Sequence, residues 1–172
     1  MMGNSPSYEA LALRWAEVCN DPVLRELPYK IELNAFGTIE MSPASTRHAR
    51  LQAEIAYAFR VQLQDGATFT EVAVLTALGV RVPDVAWASA AFIARHGDTT
   101  PLPQAPEICV EIKSPSNPMR EMVAKADAFL AAGAREVWIV SEDGDVDVLG
   151  ANGQLSASSY AVTLNLPPRQ PG

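Results

Sequence analysis

One short run dominates the reading of this chain: Glu107-Ile108-Cys109-Val110-Glu111-Ile112-Lys113. Near-continuous apolar character over that length is typical of a strand buried on both faces, so the run belongs at the centre of a sheet covered by helices. Residues two apart on a strand share a face. Glu111 and Lys113 therefore project together, while Ile112 faces the other way. A charge that closes an apolar strand must be paired, bound to a metal, or placed at the end of the sheet.

The surrounding pattern supplies the rest of an α/β (α+β) fold. Helical periodicity runs from Ser7 to Asn20, with Leu11, Leu13, Trp15 and Val18 apolar. Tyr29 to Leu33 and Thr38 to Ser42 read as a hairpin turned at Gly37. Pro43-Ala44-Ser45 opens a long helix that stops at Asp65-Gly66, with Leu51, Ile55, Phe59 and Leu63 as its apolar stripe. Thr68 to Leu78 and Val82 to Ser89 read as two strands, and Ala90 to Arg95 as a short helix. After the central strand, Asn117 is expected to cap a helix with Pro118 in its first position, and Gly133 to end it. Glu136 to Val140 and Val146 to Leu149 form a second hairpin around Asp143-Gly144. Asn152-Gly153 turns the chain again, and Tyr160 to Leu166 is expected as a last strand. This order predicts a mixed β-sheet flanked by helices.

A chain of 172 residues with 48% apolar residues suits one domain over residues 1–172, its core at about 7–166. Met1 to Ser7 and Pro167 to Gly172 are expected to be loose. Two cysteines, Cys19 and Cys109, are too few for a disulfide framework or a zinc site. No secretory pattern and no membrane span is legible, so a cytoplasmic protein without membrane contact is expected. Gly3 to Ser7 loosely fits a myristoylation pattern, for which chance is the better account. The formal net charge of −7 opposes the simplest nucleic-acid reading, because phosphate binding favours a basic surface. A bound cation or segregated charge would lift that objection.

The chemistry centres on Asp84, which follows Pro83, and on Glu111. Two carboxylates from neighbouring strands make a hard oxygen site suited to Mg²⁺ or Mn²⁺. Such an ion acidifies water and polarises a phosphate, and a lysine such as Lys113 orients the nucleophile and offsets charge. The bland alternative is a sheet end with solvated charges. His48 lies on the helical face of Leu51 and Ile55, where a lone histidine is more often a core residue than a ligand. Lys125 flanks an apolar helix face (Met119, Met122, Val123, Ala126, Phe129) and can reach toward Glu111 or simply snorkel. Glu32 faces away from Ile31 and Leu33. Asp143, Asp145 and Asp147 lack the glycine and terminal glutamate of a calcium loop. No phosphate loop and no nucleophile elbow is present.

These residues fall into blocks. They are Ile31-Glu32-Leu33, Met41-Ser42-Pro43-Ala44-Ser45 with His48, Thr70-Glu71-Val72 and Val82-Pro83-Asp84-Val85-Ala86-Trp87. There follow Pro106 to Glu111 with Ser114-Pro115-Ser116-Asn117, then Lys125 and Gly133-Ala134-Arg135-Glu136-Val137-Trp138. In this order the chain resembles the bacterial Uma-two family of restriction-endonuclease-like proteins, from about Ser7 to the last strand. The resemblance implies the PD-(D/E)XK nuclease core, with Asp84 and Glu111 as metal ligands and Glu32 and His48 in support; in a nuclease of this kind the Ile112 carbonyl is a candidate extra ligand. Many members lack lysine at the position of Lys113 and carry the one matching Lys125; this chain has both, and the choice stays open. The expected function is divalent-metal-dependent hydrolysis of phosphodiester bonds in DNA by a homodimer. The alternatives are an RNA substrate, or a catalytically inactive nuclease fold used for binding or assembly.

Overall fold

The computed structural model describes residues 6–170, so most of the first loose segment, the myristoylation pattern in part, and the last two residues lie outside the described residues. The chain begins with helix α1 (Tyr8–Asn20), whose N-cap Ser7 accepts from the Ala10 N–H at 3.2 Å. A 3-10 turn (Leu24–Glu26) leads to strands β1 (Tyr29–Leu33) and β2 (Ile39–Pro43). Helix α2 (Thr46–Gln62) is capped by Ser45, which accepts from the His48 N–H at 3.0 Å. Then come β3 (Gly66–Thr70), β4 (Val74–Thr76), β5 (Gly79–Arg81) and β6 (Val85–Ser89), and the short α3 (Ala90–His96). The central strand is β7 (Ile108–Lys113), followed by α4 (Met119–Ala131), β8 (Glu136–Ser141), β9 (Val146–Gly150) and β10 (Gly153–Leu155).

Two sheets form instead of one. An antiparallel sheet has the order β2-β1-β5-β4, and a mixed sheet has the order β10-β9-β8-β7-β6-β3. Among the strands of the described residues only β7 and β8 pair in parallel, joined through α4, the crossover that a parallel pair requires. The apolar run read as central does lie inside this sheet, between β6 and β8. Its even residues Ile108, Val110 and Ile112 pack with Leu51, Ile55 and Phe59 of α2. Cys109, on the opposite face, packs with Met122, Ala126 and Phe129 of α4. Leu11, Trp15 and Val18 of α1 pack with Leu33 and Val80 on the antiparallel sheet.

The expected strand Thr68 to Leu78 is broken in two, and the expected strand Val82 to Ser89 begins only at Val85, with a separate short strand, β5, ahead of it. β3 leaves the mixed sheet at Glu71, a non-glycine residue at φ +55°, and re-enters the other sheet as β4. Coming back, β5 ends before Pro83-Asp84 and β6 starts after it. Proline has no N–H for a ladder, which makes Pro83 a natural break. The two crossings lie side by side, since the Glu71 N–H points at the Asp84 carbonyl at 3.4 Å and Gln52 Nε2 donates to the same carbonyl at 2.9 Å. A one-sheet reading misses this because both half-strands keep β-type residues across the bend.

Two smaller expectations also change. Pro118, not Asn117, is the N-cap residue of α4, and the helix starts at Met119. Asn117 Oδ1 instead accepts from the hydroxyls of Ser114 and Ser116, which closes the turn after β7. Tyr160 to Leu166 forms no ladder. Its alternation is still used: Tyr160, Val162, Leu164 and Leu166 pack on the α2 face of the mixed sheet. Glu136, 1% exposed, anchors the start of this segment by accepting from Ser158 Oγ, Ser159 N–H and Ser159 Oγ, and also from Trp138 Nε1.

Candidate active site

The break at Pro83-Asp84 turns the Asp84 side chain toward the end of β7. Its carboxylate is 1% exposed and Glu111 is 2% exposed. Both line one cleft of about 750 Å³ that lies between the antiparallel sheet, the N-terminal end of α2, the end of β7 and the first turns of α4. The register explains their proximity. Val85 pairs with Val110, so the residue before the one comes opposite the residue after the other.

Each carboxylate is held by cations. Asp84 Oδ1 lies 2.8 Å from Lys30 Nζ and 3.2 Å from His48 Nε2, and Asp84 Oδ2 accepts from the Ile112 N–H at 2.7 Å. Glu111 Oε2 lies 3.7 Å from Lys30 Nζ, and Glu111 Oε1 lies 3.0 Å from Lys125 Nζ. Lys125 also reaches Glu32 Oε1 at 3.0 Å, while Arg81 Nη1 joins Glu32 Oε2 at 3.3 Å to Glu40 on the rim at 2.5 Å. The Val82 N–H donates to Glu32 Oε1 at 2.8 Å. Three buried carboxylates (Glu32, Asp84, Glu111) thus meet three cations (Lys30, Arg81, Lys125).

Burial acts against every one of these charges, and the neighbours decide the outcome. Desolvation pushes Asp84 up, but Lys30 and His48 outweigh it and hold the carboxyl well below its ordinary range. Glu32 is likewise lowered, because Lys125, Lys30, the Val82 N–H and Arg81 together exceed the cost of burial. Glu111 goes the other way. Burial, with Asp84 and Glu32 beside it, raises its carboxyl despite Lys125 and Lys30. Lys30 is held above its ordinary value because Glu111, Asp84 and Glu32 outweigh its own desolvation.

The donor set fits a hard divalent ion. Glu111 Oε1 is buried without a hydrogen bond, since Lys125 approaches it as a charge and not along a hydrogen-bonding direction. Among the described residues no three His, Cys, Asp or Glu side chains converge into a ligand cage. Magnesium needs none, since it keeps several waters and is held through one or two carboxylates.

Of the residues singled out from sequence, Asp84, Glu111, Ile112, Lys125, Glu32 and His48 all line the cleft, and Lys113 does not. Lys113 shares the parity of Glu111, but it stands at the strand end beyond the cleft and forms no ion pair among the described residues. Sequence reasoning missed Lys30, Arg81 and Gln52. For Lys30 a signal existed: it alternates with Ile31 just as Glu32 does, so the two must share a face of β1. Arg81 and Gln52 carried no comparable signal.

The fold has a counterpart among solved structures. A crystal structure titled as "a putative nuclease belonging to DUF820 from Anabaena variabilis ATCC 29413" superposes with a TM-score of 0.54, at 17% identity, over 73% of this chain and 80% of that one. At that identity the likeness is one of fold, a mixed α/β architecture. Residues 16–171 match the Uma2 family, described as "Putative restriction endonuclease", and the chain belongs to that family. No curated protein matches the chain.

Proposed function

We propose that this protein is a divalent-metal-dependent endonuclease that hydrolyses phosphodiester bonds in DNA. The reading rests on one observation: two buried carboxylates, one on β7 and one at the break before β6, share a cleft floor with a lysine 3.0 Å from one of them. Family membership and the fold support it.

Asp84 and Glu111 would hold Mg²⁺ or Mn²⁺. The Ile112 carbonyl is a third candidate, because a strand residue's N–H and C=O project to the same edge and the Ile112 N–H already points at Asp84. Such an ion, when bound, would acidify a water and polarise a phosphate. Lys125, 3.0 Å from Glu111, would orient the attacking water and offset the charge that builds on the phosphate. Lys113 is the weaker candidate for this role, since it lies outside the cleft. His48 steadies Asp84 in its ionised form, and Glu32 fixes the Lys125 ammonium. Cutting both strands of a duplex calls for two such sites, so a homodimer belongs to the proposal, as does a cytoplasmic location. No helix among the described residues is long and apolar enough to cross a membrane.

The test is nicking of plasmid and single-stranded DNA, with RNA in parallel, by purified protein with Mg²⁺ or Mn²⁺. Activity that persists in both Asp84→Ala and Glu111→Ala removes the assignment. A second reading, a nuclease fold used for binding without cleavage, is favoured by the acidic rim. Glu40, Glu71, Glu121 and Glu142 all line the cleft in a chain of net charge −7. Calorimetric titration separates the two, because absence of saturable Mg²⁺ or Mn²⁺ binding favours the second.

A further inference from the structure

Lys30 occupies an unusual place. Its ammonium stands between the two carboxylates proposed as metal ligands, 2.8 Å from Asp84 Oδ1 and 3.7 Å from Glu111 Oε2. Its third neighbour is the Val82 carbonyl at 3.1 Å. The side chain is only 13% exposed, so solvent screens its pairing with the carboxylates weakly. We infer that Lys30 is the resident counter-ion of the Asp84–Glu111 pair, holding the position a divalent cation takes, so that metal entry requires its withdrawal and Lys30 sets the metal affinity of the site. The inference rests on the metal-site reading above.

Two arguments carry it. The first is charge. The three buried carboxylates of the floor already meet three cations, one of which, Arg81, is shared with Glu40 on the rim. A divalent ion placed on Asp84 and Glu111 without displacement would sit against the Lys30 ammonium in a poorly solvated floor, which is costly. Lys125 reaches one proposed ligand, Glu111, and Arg81 reaches neither, while Lys30 is the cation placed against both. The second is reach. A lysine ammonium on a four-carbon stem has rotatable donors, and the Val82 carbonyl keeps one partner for it after it leaves the carboxylates.

The variant Lys30→Met removes the charge and keeps most of the stem. By calorimetry its Mn²⁺ affinity is expected to rise by about ten- to a hundredfold, the range over which groups beside a metal site move its affinity. Its metal-free melting temperature is expected to fall, because two buried carboxylates lose their shared cation. Mn²⁺ binding by the wild type with unchanged or weaker binding by Lys30→Met overturns the inference and leaves the metal site standing. Failure of both proteins to bind removes the metal site itself. Should Lys30→Met not fold, crystals of the wild type soaked in Mn²⁺ decide. The expected result is metal on Asp84 and Glu111 with the Lys30 ammonium withdrawn toward the Val82 carbonyl. Metal on both carboxylates with the ammonium still bonded to Asp84 overturns the inference, and crystals without metal there sink the site.

Discussion

At the scale of single residues, Lys113 and Lys125 show how parity and position differ. Lys113 shares a face with Glu111 by strand geometry, yet it stands past the end of the cleft. Lys125 is 12 residues further from Glu111 in sequence than Lys113 and lies 3.0 Å from its Oε1. Lys125→Met is expected to lower the rate of DNA nicking by about a hundredfold or more, the contribution of a positioned charge or proton-transfer group. It also strips a cation from two buried carboxylates, so chemical denaturation should report a stability loss of about 3 kcal/mol. Lys113→Ala is expected to stay within about 0.5 kcal/mol of the wild type, as surface changes do, and to retain nicking activity. The reverse ranking of the two variants would show that the strand lysine serves the site.

At the scale of elements, Glu136 is the first residue of β8 and receives four donors, two hydroxyls, one backbone N–H and the Trp138 indole. Burial alone would raise its carboxyl, but these donors outweigh it and hold the group below its ordinary value of 4.5. A lowered folded-state value means the charged form is the stabilised one. That stability is complete above the ordinary value and is lost as pH falls through the folded one. Glu136→Ala is expected to cost about 3 kcal/mol at neutral pH, because buried donors are left without an acceptor. Glu136→Gln is expected to flatten the fall of stability below about pH 4.5. Denaturant titrations from pH 7 down to pH 3 check both, and an unchanged acid slope in Glu136→Gln would remove Glu136 as the cause. The element itself was legible, since Val137 to Val140 is an apolar β-forming run. The Tyr160 to Leu166 segment was legible only by half. Its alternation told which residues face the core, but a ladder also needs a free strand edge, and the segment packs on the α2 face of the mixed sheet.

At the scale of the whole molecule, the site exists because the chain crosses between two sheets twice at one level, at Glu71 and at Pro83-Asp84. The antiparallel sheet brings Lys30, Glu32 and Arg81 over the end of the mixed sheet, which brings Glu111. If the cleft binds a divalent ion, Mn²⁺ at a hundredfold excess over its dissociation constant should stabilise the fold by about 2.7 kcal/mol. A melting curve with and without chelator reads this, and Asp84→Ala combined with Glu111→Ala should abolish the shift. A shift of equal size in that double variant would assign the stabilisation to other acidic groups of this net-negative chain.

The sequence alone determined most of the helices and strands, the central place of Ile108 to Lys113, and the presence of charge at its end, at Glu111. Those follow from local causes: residue periodicity, capping, and the cost of ending an apolar strand in a charge. Only the tertiary structure decided that Thr68 to Leu78 divides between two sheets and that β5 and β6 are parted at Pro83-Asp84. It alone decided that Lys30 stands between the carboxylates and that Lys125, not Lys113, lines the cleft. The physical reason is that β-propensity and alternation say which way a side chain points but not which distant strand it meets. The partners of a buried charge are set by register and sheet order, which bring together residues far apart in the chain.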